Sequence, residues 1–122
     1  MKVKIAIVST DGKIVNEHFA RTKNFHIFEI YVNNYRYLET RNINSFCNDE
    51  SHSNATLDDV IEVIKDCTAI VAAKIGDGAS LYMGKKGFTV FEAPYLIDGV
   101  IKKIIGDDLL ELEREEQVWN FI

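Results

Sequence analysis

Residues 2–31 read KVKIAIVSTDGKIVNEHFARTKNFHIFEIY and contain two strand-like runs separated by a polar loop. The first run, Lys2–Ser9, becomes apolar on both faces, which is typical of a strand buried between two layers. The second run, Phe25–Tyr31, is rich in aromatic and β-branched residues, which favour strands. The loop between them carries His18. Loops at strand ends are where α/β folds tend to bind ligands, so this stretch predicts both the start of a sheet and a candidate site.

The rest of the chain predicts alternating strands and helices. Asn33-Asn34 is a turn signal, so Tyr35–Ile43 is expected to pair with the second strand as a hairpin. Apolar spacing predicts the later elements, which are a helix after an N-cap at Thr56, a strand over Thr68–Ala73, a short helix through Lys86, a strand over Phe88–Glu92 and a helix from Ile97 to Gly106. The order β-β-β-α-β-α-β-α predicts a three-layer α/β/α domain with a mixed five-stranded sheet.

One domain is expected over residues 1–106, because a chain of 122 residues suits a single core and no linker-like segment interrupts it. Residues 107–122 are expected to be a C-terminal extension. Apolar residues lie at both of its ends, with the sequence EREEQ between them. We predict that the extension is helical, and that it packs either on its own domain or against another subunit.

Charge and cysteine content exclude several classes of function. The chain has 14 Lys and Arg against 19 Asp and Glu, a net charge of −5, so it lacks the positive field that nucleic acid or an anionic membrane requires. No apolar run approaches the ~20 residues that span a bilayer, and the N-terminal apolar run is too short for a signal peptide. We therefore expect a cytoplasmic protein that binds neither nucleic acid nor membranes. Cys47 and Cys67 are expected to be reduced thiols.

Three residues are candidate metal ligands. His18 follows Glu17, and a neighbouring carboxylate such as Glu17 or Asp11 can fix the tautomer of a metal-bound imidazole. The alternative is a surface histidine that bonds only to backbone. Cys47 and His52 share the polar loop CNDESH, and both can reach one soft or borderline metal. A structural zinc site needs four such ligands, so the alternative is a loop that happens to hold a thiol.

A glycine turn, Gly76-Asp77-Gly78, lies between a predicted buried strand and a helix. Backbone N–H groups at a helix start can bind an anion, and glycines let a ligand approach closely. The turn lacks the Lys-Ser/Thr ending of a P-loop, so a tight strand-to-helix connection is the alternative. His26 and Cys67 are expected to be packing residues. The sequence lacks nucleophile-elbow, zinc-protease and kinase patterns, and it does not argue for an enzyme.

Several segments match a known pattern in order and spacing. They are IAIVSTDGKIVNEHF, FHIFEI, Arg41 followed by Cys47 and His52, the pair Asp66-Cys67, KIGDGAS and GFTVFEA. The most specific element is D-G-x-x-V-N-x-H-F. Together these segments resemble the dinitrogenase iron-molybdenum cofactor biosynthesis family, which includes the NifX/NafY-type carriers and the C-terminal domain of NifB. The resemblance covers roughly residues 2 to 105.

This resemblance implies a ribonuclease H-like topology and a non-catalytic carrier of an iron-sulfur or iron-molybdenum cluster, or of its precursor, bound as cargo. The histidine of the family's H-F-G motif corresponds to His18, and Ala20 stands where the family usually has Gly. Cys47 would add a thiolate, and Gly76 and Gly78 would offer N–H donors. A protein partner for cluster delivery and a monomer or homodimer are expected. The alternative is a regulatory or interaction module that binds a small anionic metabolite or a partner protein without metal.

Overall fold

The computed structural model of the protein describes residues 2–19, 22–43 and 57–110. Each strand and helix predicted before residue 107 is present, with ends shifted by a residue or two because periodicity defines an element better than its boundaries. Most of the predicted helical extension, residues 111–122, lies outside the described residues. Thr56, the predicted N-cap, lies outside these ranges. In chain order the elements are β1 (Val3–Val8), β2 (Asn24–Ile30), β3 (Tyr35–Asn42), α1 (Leu57–Ile64), β4 (Ala69–Ala72), α2 (Asp77–Lys85), β5 (Thr89–Glu92) and α3 (Ile97–Gly106).

The strands form a mixed five-stranded sheet in the order β3-β2-β1-β4-β5. The hairpin strands pair antiparallel, β1 with β2 and β2 with β3, whereas β1, β4 and β5 run parallel. The mixed sheet predicted from the sequence is therefore confirmed. The three parallel strands end at one side of the sheet, which we call the carboxyl edge and define by the residues that follow Val8, Ala72 and Glu92. In open α/β sheets this side is where ligands bind.

Each face of the sheet has its own hydrophobic core. Along β1, alternate side chains point to opposite faces: Ala6 and Val8 pack with α1 and α2, whereas Ile5 and Ile7 pack with α3. The three-layer arrangement is thus confirmed. Within the described ranges, no helix is long and apolar enough to cross a membrane.

Cys67 packs in the core beneath α1 and α2, as predicted. Its exposed fraction is 7%, and burial raises the pKa of its thiol to about 12. A thiol in this state is a poor nucleophile and a poor metal ligand, because both roles need the thiolate.

An ion pair joins β3 to the chain that follows α1. The Arg41 guanidinium donates to both carboxylate oxygens of Asp66, at 2.6 and 2.9 Å, and to the Val63 carbonyl at 2.9 Å. Lys4 Nζ lies 3.1 Å from the same carboxylate. The guanidinium holds the pKa of the Asp66 carboxyl well below its usual range. Arg41 and Asp66, which both belong to the segments that carry the family resemblance, thus stabilise the fold.

Candidate functional site

His18 lies at the carboxyl edge, in the loop that follows β1. This loop runs beside the chain that follows β4: the Phe19 N–H donates to the Lys74 carbonyl at 2.9 Å, and the Ala73 N–H donates to the Glu17 carbonyl at 3.0 Å. His18 and Lys74 form a parallel bridge between these bonds. The backbone of His18 is therefore fixed on both sides, while its side chain is exposed.

Ser9, Asp11 and Gly12 shape the start of this loop. One Asp11 carboxylate oxygen accepts hydrogen bonds from the N–H groups of Lys13 at 2.9 Å and Ile14 at 3.2 Å, and these bonds lower the pKa of Asp11. The buried Ser9 hydroxyl donates to the Ile14 carbonyl at 2.6 Å and accepts from the Gly12 N–H at 3.0 Å. Gly12 has a φ of +76°, which favours glycine. The conformation of this turn therefore accounts for both Asp11 and Gly12.

The other members of the motif D-G-x-x-V-N-x-H-F also have partners within the chain. Val15 is 1% exposed in the core beneath α3. The Asn16 side chain accepts from the Thr10 N–H at 3.0 Å and donates to the Thr10 hydroxyl at 2.8 Å. Phe19 is 4% exposed and packs edge-to-face on Phe25, with ring centroids 6.3 Å apart. Within the described ranges, the histidine of this motif is the member whose exposed side chain makes no hydrogen bond.

His26, on β2, has a structural role. Its Nε2 lies 3.0 Å from the Ser9 carbonyl oxygen, and its Nδ1 lies 3.0 Å from the Thr40 hydroxyl. Because a carbonyl only accepts, Nε2 carries the proton in the neutral ring and Nδ1 accepts from the hydroxyl. Both ring nitrogens are engaged in joining the end of β1 to β3, in agreement with the predicted packing role.

The glycine turn at the start of α2 lies at the same edge as His18. Gly76 is the N-cap of α2 with a φ of −65°, and no side chain among the described residues caps the helix. A Cβ added to Gly76 or Gly78 would meet no heavy atom within 4 Å. The first N–H groups of a helix have no intrahelical partner and lie at its positive end. Neither packing nor φ requires glycine at these positions, and the open space leaves the N–H groups accessible to an anion.

Lys74 is a residue of this edge that the sequence analysis missed. It is exposed and lies opposite His18 in the parallel bridge. Paired residues of neighbouring strands project their side chains to the same side of the sheet. By the same geometry, we expect the Lys74 ammonium and the His18 imidazole to share one surface. Nearby, the Ile75 N–H donates to a Glu92 carboxylate oxygen at 3.1 Å and fixes the connection into α2. The sequence feature that could have identified Lys74 is its position directly after the predicted strand Thr68–Ala73.

Cys47, His52 and Ala20 lie outside the described residues, so the structure gives no distance from them to His18. In the part of the chain that the structure describes, no group of three His, Cys, Asp or Glu side chains is arranged to hold a metal ion. Of the residues predicted as site residues, the structure brings His18, Gly76 and Gly78 to one edge.

Comparison with known proteins gives a family and relatives. A family model described as dinitrogenase iron-molybdenum cofactor matches residues 1–107. The FeMo cofactor biosynthesis protein NifB of Frankia alni is 30% identical over 105 residues, which are 84% of this chain and 21% of that protein. The protein of the same name from Rhodobacter capsulatus is 27% identical over 88 residues, or 72% of this chain and 20% of that protein. The chain thus spans about a fifth of the length of these curated relatives.

Solved structures share the fold. The crystal structure of the protein PH0822 has a TM-score of 0.66 and 25% identity, covering 85% of this chain and 89% of that one. The structure of MJ0327 from Methanocaldococcus jannaschii has a TM-score of 0.58 and 24% identity, covering 88% and 91%. The resemblance found in the sequence is confirmed by the family match over residues 1–107: the chain belongs to the dinitrogenase iron-molybdenum cofactor family.

Proposed function

We propose that this protein is a non-catalytic binding or carrier protein for an iron-sulfur or iron-molybdenum cluster, or for a precursor of one. The observation that carries the proposal is the exposed His18 side chain at the carboxyl edge, on a loop whose other motif residues are engaged in shaping it. Imidazole is a good ligand for iron. Since the loop is already formed, little of the binding free energy is lost in ordering it.

Local positive groups suit an anionic cargo, although the whole chain carries −5. Lys74 lies opposite His18, and the uncapped start of α2 presents N–H groups at the positive end of its dipole. Asp77, exposed in the first turn of α2, offsets part of this field. Exposed charges further than about 8 Å away are largely screened at physiological salt, so these near groups decide the electrostatics. In the proposal, His18 binds metal and the other groups neutralise the cluster.

Cys47 and His52 enter the proposal as further ligands, and the topology of the sheet supports this. β3 runs in the same direction as β1, because both pair antiparallel with β2. The chain therefore leaves β3 at the carboxyl edge, where the Ile43 N–H donates to the Lys23 carbonyl at 2.8 Å. Cys47 follows four residues later in the sequence. Only a short span of chain therefore separates Cys47 from the edge of the sheet that carries His18, and we propose that its thiolate reaches the site from there.

Anaerobic titration with an iron-sulfur cluster precursor tests the role of His18. We expect His18→Ala to weaken binding at least about tenfold, because even changes to groups that support metal ligands cost 10–100-fold in affinity. The free energy of unfolding should stay unchanged, since the side chain is exposed. Lys13→Ala, an exposed change in the same loop, is the control and should bind as wild type does. Equal binding by His18→Ala and wild type would contradict the assignment.

A glycine substitution tests the start of α2. Gly78→Ala should raise the free energy of unfolding by about 0.4–1 kcal/mol, because alanine restricts the unfolded chain and the site has room for a methyl group. The same change should weaken cluster binding if the cargo approaches these N–H groups closely. Urea unfolding and the same titration measure the two effects. Gly84→Ala, at an exposed glycine of α2 that also has open space, should leave binding unchanged. Unchanged affinity in Gly78→Ala would exclude a close approach of the cargo to the backbone at Gly78.

A metal-free module that binds a small anionic metabolite is the second candidate function. It is favoured by the uncapped α2 and by Lys74, which suit any anion. Visible absorbance and iron content after anaerobic purification separate the two candidates, because a cluster carrier is coloured and a metabolite binder is colourless. The chain spans about a fifth of the length of its NifB relatives. We therefore propose cargo binding and delivery to a protein partner, by a monomer or a homodimer. The activity of the full-length NifB proteins is not part of this function.

A further inference from the structure

A groove of about 440 Å³ lies between β5 and α3, on the face of the sheet that α3 covers. We call it the β5–α3 groove. Two of its large side chains are unusually accessible, Tyr95 at 68% and Leu109 at 42% exposed. Mainly apolar residues line it, among them Phe91, Ala93, Tyr95, Val100, Ile104 and Leu109. Apolar concavities of this size generally mark a binding surface.

The groove lies where a second covering segment is expected. Strands about 4.8 Å apart make a five-stranded sheet roughly 19 Å wide between its outer strands, whereas packed helices lie about 10 Å apart. Two helices are therefore needed to cover one face. The opposite face carries α1 and α2, while the described residues place α3 alone on this one. The side of this face next to β5 is left open by that part of the chain.

The end of α3 directs the chain along the groove. Asp108 has a φ of +50°, its N–H donates to the Ile105 carbonyl at 3.1 Å, and the Leu109 N–H donates to the Ile104 carbonyl at 3.0 Å. This pair of bonds is a Schellman motif, which ends a helix and brings the residue after it back towards the last turn. Ile104 and Leu109 both line the groove. The chain therefore leaves α3 beside the groove.

We propose that the C-terminal residues 111–122 occupy the β5–α3 groove, with Trp119 and Phe121 as the main buried side chains. Trp119 follows Leu109 by ten residues, which span at most about 36 Å, so the segment can reach every part of the groove. The segment ends in VWNFI, which supplies apolar side chains to an apolar surface. A short tether gives an effective concentration of about millimolar, so even a weak contact is populated.

The apolar side chains of the segment, and not its charge, carry this proposal. Residues 113–116 read EREE, a net acidic stretch. Among the described residues that line the groove, Lys103 and Glu92 carry opposite charges, and the Lys103 ammonium lies 2.9 Å from the Asp107 carboxylate. The acidic stretch is therefore expected to lie in solvent at the rim while the apolar end fills the groove.

Trp119 is the sole tryptophan of the sequence and reports directly on the groove. In the full chain we expect blue-shifted emission and several-fold slower quenching by acrylamide than in the same chain unfolded in urea. Gly99→Glu tests the groove itself. Gly99 lines it, a Cβ there meets nothing within 4 Å, and a glutamate in the first turn of α3 suits the helix dipole. The fold should persist, whereas the new charge repels the acidic segment, so quenching should accelerate several-fold.

Gly84→Glu is the control for the added charge, because Gly84 is also a helical glycine with open space but lies on α2, away from the groove. Since Gly84 is in the last turn of α2, the glutamate opposes the helix dipole and should lower the free energy of unfolding by about 0.3–1 kcal/mol. Its emission and quenching should equal those of wild type. Wild-type emission equal to that of the unfolded chain would overturn the proposal, as would unchanged quenching in Gly99→Glu. Quenching that accelerates on dilution, together with a falling mass in sedimentation, would assign the groove to a second copy and also overturn it. Quenching independent of concentration supports docking within one chain.

Discussion

Phe19→Ala should lower the free energy of unfolding by about 3–5 kcal/mol, the range for truncating a buried phenylalanine. Phe19 is 4% exposed and packs edge-to-face on Phe25, although it belongs to a loop and not to the sheet. The loss of the ring removes transfer free energy and leaves a cavity at the end of β1. Because Phe19 directly follows His18, affinity for the cluster precursor should fall as well. Urea unfolding followed by circular dichroism measures the first effect, and anaerobic titration measures the second.

Phe19→Leu is the control for this experiment. Leucine keeps an apolar side chain that fills most of the space of the ring, so Phe19→Leu should lose clearly less free energy of unfolding than Phe19→Ala and should bind more tightly than the alanine variant. A loss below 1 kcal/mol in Phe19→Ala would show that the aromatic anchor does not hold the loop.

Arg41→Ala should have the second largest effect, a loss of about 2–3 kcal/mol in the free energy of unfolding. Arg41 donates to Asp66, to the Val63 carbonyl and to Glu39, and hydrogen bonds to charged groups contribute about 1.5–3 kcal/mol. Removing one partner of a fully buried pair costs about 3–5 kcal/mol. The Asp66 side chain is 40% exposed, so water replaces part of what is lost and the smaller figure applies.

The same variant should change the acid sensitivity of the fold. The Arg41 guanidinium lowers the pKa of Asp66, so this pair stabilises the protein above the ordinary aspartate pKa and ceases to do so as the pH falls. Wild type should lose free energy of unfolding between about pH 5 and pH 2, and Arg41→Ala should lose less over that interval. Asp11, Glu29 and Asp98 also have lowered pKa values, but they titrate in both proteins and cancel in the difference. Parallel pH profiles would contradict this account.

The order and type of the elements could be predicted because each has a local signature. β4 is a short apolar run buried on both faces, and α3 carries an apolar stripe at helical spacing. The loop after β1 was recognisable as a candidate site because a polar segment with a histidine lies between two clear strands. The ribonuclease H-like label and the roles of Cys47 and His52 remain predictions.

Features that depend on long-range register were not predictable from periodicity. The placement of Lys74 opposite His18 depends on how the loop after β1 aligns with the chain after β4. Glu29 is a similar case: it is 5% exposed in β2, and its burial is tolerated because Tyr31 and Arg36, the latter from β3, donate to its carboxylate. The local sequence around one residue does not show which residue will lie opposite it, because that depends on how the strands align in the sheet.

The loop that carries His18 also contacts the wall of the β5–α3 groove. The Val15 N–H donates to the Tyr95 carbonyl, and the Ile97 N–H donates to the Lys13 carbonyl, both at 2.9 Å. Tyr95 in turn lines the groove. A hydrogen-bonded connection therefore runs from the loop of His18, the proposed cargo ligand, to the proposed seat of the C-terminal segment, without passing through the sheet. If His18 binds cargo as proposed, a displacement of the loop on binding would reach that seat directly, and a partner that contacts the C-terminal segment there would be able to distinguish the loaded protein from the empty one.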